Sequence, residues 1–182
     1  MNKKNVLITS IEGNTQLLDG GSMFGNAPRP LWERWVNVDD IGRIELACRS
    51  LLVKYQGLNI LLEAGIGQFF EPKFADRYGV RPTDKHLLNE NLLKVGIGPK
   101  EIDYVILSHL HFDHCGGNAQ LPNADILIQT RELTHARTTG STNGYLLTDW
   151  DTGQKVRAVD GEHDVFDDGT VVCLPTYGHT PG

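Results

Sequence analysis

The stretch Tyr104-Val105-Ile106-Leu107-Ser108-His109-Leu110-His111-Phe112-Asp113-His114 decides how the rest of the chain is read, because an apolar run ends there in three imidazoles and a carboxylate. Neutral imidazole nitrogen and carboxylate oxygen are ligands that zinc, iron(II) and manganese accept, whereas a purely structural zinc site would draw on thiolates. The spacing also says what carries them. On an α-helix His109 and His111 would point about 200° apart and could not share an ion. At the end of a buried strand, side chains two apart lie on one side, and a turn just beyond can aim Asp113 and His114 at a second ion. Gly116 and Gly117 follow at once, and glycine there is expected to let the chain turn sharply. The bland alternative is a solvated histidine-rich turn, but histidine tracts of this composition point to metal binding.

The motif His109-x-His111-x-Asp113-His114 with Gly116-Gly117, and later Gly178-His179-Thr180-Pro181-Gly182, resembles the metallo-β-lactamase superfamily of metal-dependent hydrolases. Gly20-Gly21-Ser22-Met23-Phe24-Gly25, running on through Pro30-Leu31-Trp32-Glu33-Arg34, is similar to a narrower branch that includes quorum-quenching lactonases and methyl parathion hydrolases. The resemblance extends from Val6 onward. It implies an α/β (α+β) fold, the αββα sandwich with metals in the cleft between its halves. Residues 1–182 would form a single incomplete domain, the N-terminal half and the start of the second.

The same resemblance implies that His109, His111 and His179 hold one ion while Asp113 and His114 contribute to a second, with a bridging Asp and a last His expected beyond Gly182. Zinc is the expected metal, as one or two divalent ions, with manganese or iron as alternatives. Asp113 is implied both as ligand and as acceptor of the nucleophile's proton. The expected reaction is hydrolysis of a lactone or related ester. Two alternatives stand beside it: an iron-dependent oxidoreductase of the persulfide dioxygenase type, whose relatives share the histidine loop, and a catalytically silent metal-binding fragment. One departure is Glu63-Ala64, standing where relatives carry Asp-Thr. An extra methylene there is expected to displace a hydrogen bond behind the metal ligands and weaken activity.

Composition narrows the partners. Forty per cent hydrophobic and 22% charged residues in 182 is an ordinary globular balance for one domain. A net charge of −6, with 17 Lys and Arg forming no basic stripe, excludes the electrostatic footprint of a nucleic-acid binder. No apolar run could span a bilayer. Three Cys without a Cys-x-x-Cys spacing argue against a disulfide framework and for a reducing compartment, so a cytoplasmic protein acting on a small molecule is expected. Cys48 and Cys173 read as core residues, and Cys115 as a small packing residue.

Along the chain, 5–11 reads as a first strand, 45–55 and 59–62 as a hairpin around Gln56-Gly57-Leu58, 104–107 as the metal-bearing strand and 124–129 as a strand. A helix through Leu87, Leu88, Asn91 and Leu92 is expected to be capped by Asp84, with another over 130–137. Strands over 155–159 and 170–175 close the pattern, the latter delivering His179. The Gly20 to Asp40 segment is too aromatic to be a passive connector, and 138–149 could lie over the site as a flap. Met23, Phe24, Tyr145 and Trp150 are therefore the expected substrate-binding wall, apolar and nearly uncharged. His86, His135 and His163 lack ligand-like neighbours. A half sandwich would leave the sheet face bearing Leu51-Leu52-Val53 and Ile60-Leu61-Leu62 without its cover, so self-association or a partner chain is expected there.

Overall fold

The computed structural model describes residues 5–67, 71–80 and 87–182; the expected cap Asp84 and His86 lie outside them. Six strands form one sheet in sequence order. β1 (Leu7–Asp19), β2 (Arg43–Tyr55) and β3 (Leu58–Leu62) are antiparallel. Beyond them β4 (Tyr104–Ile106), β5 (Asp125–Gln129) and β6 (Val156–Val159) run parallel to β3 and to one another. The β2–β3 hairpin closes on Gln56-Gly57 alone, both at positive φ (51° and 81°), the geometry that a two-residue loop between right-twisted strands requires.

The first strand is much longer than the alternation over 5–11 suggests. It continues to Asp19 through an irregularity between Glu12 and Thr15, where a Cβ on Gly13 would sit 2.5 Å from the Cys48 carbonyl. Buried Asn14 and Gln16 interrupt the apolar pattern there, which is why the strand's second half does not announce itself. The following segment folds into α1 (Gly20–Phe24) and α2 (Arg29–Trp32), with Phe24 stacked on Trp32 at 5.1 Å. The remaining helices are α3 (Pro72–Arg77), α4 (Leu87–Lys94), α5 (Phe112–Cys115), α6 (Thr130–Thr139) and α7 (Leu147–Trp150). Among the described residues no helix is long and apolar enough to cross a membrane.

On one sheet face Leu52, Leu61, Val105 and Ile126 pack with Leu88 and Leu92 of α4 and Leu133 and Ala136 of α6. The opposite face does not lie bare as expected. Val53, Ile60, Ile106 and Leu127 are buried against Val165, Phe166, Val171 and Cys173, because the hairpin of β7 (His163–Asp164) and β8 (Val172–Cys173) folds back over them. Phe166 meets Tyr55 edge-on at 4.9 Å. Leu51 stays 43% exposed. The strand expected over 170–175 is confined to Val172–Cys173, the residues that pair with β7.

Candidate metal centre

The site lies beyond the carboxyl ends of β3 and β4, where open parallel sheets place their ligands. The chain leaves β4 at Ile106, Leu107 is still held by its N–H to the Leu127 carbonyl, and His109 and His111 follow before α5 begins. Asp113 and His114 lie in the only turn of α5. The six-residue motif is thus half loop and half helix. Gly116 serves it in a different way from that expected. Its backbone is ordinary right-handed helix (φ −60°), but an added Cβ would meet the Phe112 carbonyl oxygen at 2.4 Å and the Gly67 nitrogen at 2.5 Å. Glycine is required there because α5 is pressed onto the chain leaving β3.

His109, His111 and His179 bring one ring nitrogen each to within 4.8 Å of the others, and His109, Asp113 and His114 do the same with a ring nitrogen or carboxylate oxygen. In the first group His111 Nδ1 and His179 Nε2 are 3.1 Å apart, inside the roughly 4.2 Å that two Zn–N bonds of about 2.1 Å can span. His109 Nδ1 lies 2.9 Å from Ser108 Oγ, and its Nε2 is buried with no hydrogen-bond partner. Such an orphaned acceptor is costly unless something binds it. Asp113 Oδ2 accepts from Gln16 Nε2 at 2.8 Å and lies 3.7 Å from His114 Nε2. The donor set is imidazole and carboxylate throughout, and the residues fit a divalent ion at each cluster.

Protonation favours the same reading. Burial, reinforced by the neighbouring His114, His111 and His179, drives the His109 pKa down to about 3. Burial and then His179 lower His111. Both rings are therefore neutral, with lone pairs to offer, at ordinary pH. His114 differs: burial pulls it down, but its hydrogen bond to Glu63 and the charges of Glu63 and Asp113 outweigh that and raise it. Glu63 reaches His114 Nδ1 with Oε2 at 3.1 Å while Oε1 accepts the Ser108 N–H at 3.0 Å, so the expected loss of this support does not occur. The Cys115 thiol, fully buried, is pushed well above its usual range by burial, as suits a packing residue.

The expected substrate wall comes apart. Tyr145 is buried, with its ring 4.7 Å from that of His111, and the 138–149 segment is tied to the metal loop through the Phe112 N–H and the Gly144 carbonyl. Trp150 belongs to the main hydrophobic core, since α7 packs inward against α5. Phe24 packs with Trp32 and Trp35, and Met23 is half exposed on α1. His135 is engaged by Thr139 Oγ1, away from both clusters. Two site residues escape the motif reading: Gln16, which holds Asp113, and Glu132, whose Oε1 accepts the Leu110 N–H and the Tyr145 hydroxyl, each at 2.9 Å. The available signal was a polar side chain at an inward position, on β1 for Gln16 and beside Leu133 and Ala136 on α6 for Glu132.

Convergent imidazoles at the ends of parallel strands define a metal-binding α/β protein. The chain belongs to the metallo-beta-lactamase superfamily, whose model matches residues 43–182. It is 38% identical over 95 residues, 48% of its length, to the N-acyl homoserine lactonase AttM of Azorhizobium caulinodans, of which the match spans 36%. The chain covers well under half the length of this and the similar AttM of Agrobacterium fabrum. In structure it resembles a probable metal-dependent hydrolase from Staphylococcus aureus (TM-score 0.83, 25% identity, covering 100% of this chain and 68% of that one). An N-acyl homoserine lactone hydrolase with N-hexanoyl-L-homoserine bound at its catalytic metal centre shares the fold (TM-score 0.73, 24% identity, covering 96% and 67%).

Proposed function

We propose that this chain carries the metal-binding part of a hydrolase that opens lactones, N-acyl homoserine lactones in particular. The observation that carries the reading is the convergence of His109, His111 and His179 around the unpartnered, buried Nε2 of His109. Relatives named for lactone hydrolysis give the substrate class. His109, His111 and His179 would hold one ion, and Asp113 and His114 would contribute to a second, zinc being the metal that suits these donors. When bound, such ions supply Lewis acidity and water that ionises near neutral pH, with pKa about 7.

The chain's own residues do the rest. Asp113, oriented by Gln16, presents a carboxylate that can accept a proton from the attacking water. Glu63 fixes the ring plane of His114. A cavity of about 210 Å³ beside the metal loop, lined by Phe74, Phe112, Tyr145 and Leu146 but also by Arg77, Thr142 and Asn143, offers apolar area to an acyl chain and polar partners to its amide. No observation favours the oxidoreductase alternative. The test is to load the protein with zinc and assay N-acyl homoserine lactones, simple lactones, phosphotriesters and polyanionic phosphodiesters, alongside His109→Ala. Lactone opening that is lost in the variant, together with its bound zinc, is expected. A preference for polyanionic phosphodiesters, or bound metal unchanged in His109→Ala, would refute the proposal.

A further inference from the structure

Glu132 is completely buried, yet its Oε2 has no hydrogen-bond partner. A buried carboxyl group with an unpartnered oxygen stabilises a fold less than a well-packed apolar side chain would, so its presence there is explained by the donors it accepts. Its Oε1 takes two donors from different parts of the site. One is the backbone N–H of Leu110, the residue between His109 and His111. The other is the hydroxyl of Tyr145, whose ring lies against His111. On the far side Gly182 packs so closely on the Glu132 backbone that a Cβ would not fit there, and its carbonyl accepts from the hydroxyl of buried Thr180. Thr180 directly follows His179. One buried chain of contacts thus joins the backbone between the first two imidazoles to the loop that brings the third, 68 residues after His111. The histidine motifs contain neither Glu132 nor Tyr145.

We infer that Glu132 and Tyr145 are positioning residues that set the two histidine-bearing segments at the spacing the three-imidazole cluster requires. The inference rests on the reading that this cluster takes a metal. Tyr145 then acts through its hydroxyl and the packing of its ring on His111, so its place in the substrate wall is secondary.

The experiment is a competition titration of zinc against a chromophoric chelator, with circular dichroism to check the fold. Partners behind metal ligands affect affinity by about 10- to 100-fold, and a loss of that size is expected in Glu132→Leu. Glu132→Gln keeps an oxygen for both donors and should recover most of the affinity. Tyr145→Phe, which removes one oxygen and keeps the ring, should weaken zinc by a smaller factor and alter the visible spectrum of the cobalt-substituted protein. The Tyr145→Phe result decides the matter even if Glu132→Leu does not fold. Wild-type zinc affinity and an unchanged cobalt spectrum in Tyr145→Phe would overturn the inference, as would equal losses in Glu132→Gln and Glu132→Leu. A wild-type protein that takes up no zinc would instead remove the metal reading on which the inference stands.

Discussion

Glu63 holds a left-handed backbone conformation (φ 66°) that residues other than glycine seldom adopt, and such conformations persist where the surroundings fix them. What fixes Glu63 is plain: its N–H donates to the Ile106 carbonyl, and its two carboxylate oxygens engage Ser108 N–H and His114 Nδ1. Glu63→Ala should therefore lower metal retention at the Asp113/His114 cluster by about 10- to 100-fold while leaving the three-imidazole cluster nearly intact. Metal stoichiometry after dialysis measures this, and equal loss from both clusters would contradict it.

Asp149 makes the second case at this scale. It is nine-tenths buried beside a cavity of about 590 Å³ lined also by Phe74, Leu146 and Leu147, and burial raises its pKa from 3.8 to about 6. Between those values the folded state keeps a proton that the unfolded chain has released, so stability falls as pH rises through the window. Asp149→Asn removes the titration. It should be more stable than the wild type at pH 7 by about 2 to 3 kcal/mol, the difference closing below pH 3.8. Urea denaturation across pH checks this, and a difference constant with pH would refute it.

Among elements, α5 depends on its contact with the chain leaving β3. The Ala64 N–H donates to the His114 carbonyl, the Gly117 N–H to the Gly65 carbonyl, and Gly116 and Gly67 touch without room for a side chain. Gly116→Ala should force the backbones apart, costing about 1 to 3 kcal/mol as overpacking does and shifting α5 with Asp113 and His114. Denaturant midpoints that match the wild type would count against this. The same elements show what could be read in advance. β4 and β5 are visible because their apolar runs are uninterrupted, and the histidine motifs name side chains that the fold brings together. The second half of β1 is hidden because it carries Asn14 and Gln16 inward, where they meet polar partners instead of the core. Glu132 is hidden for the same reason. The β7–β8 cover is hidden because its strands are only two residues long and the burial comes from Val165, Phe166 and Val171 between them.

At the scale of the whole molecule, the side chains proposed to hold metal come from parts of the chain that the sheet alone does not join. His109, His111, Asp113 and His114 come from the end of β4 and from α5, while His179 arrives after the β7–β8 hairpin has crossed the opposite face of the sheet. An ion held by both segments is bound by the folded state and not by the unfolded chain, so it stabilises the whole molecule by mass action. At a free zinc concentration one hundred times the dissociation constant this amounts to about 2.7 kcal/mol. For a chain of this size that corresponds to a rise in Tm of about 5 to 10 °C. Zinc should produce this rise in the wild-type protein, a chelator should reverse it, and His109→Ala, which removes the residue common to both clusters, should abolish most of it. Thermal melts followed by circular dichroism supply the measurement. A wild-type Tm indifferent to zinc, or a rise of equal size in His109→Ala, would show that the two segments are not joined through this site.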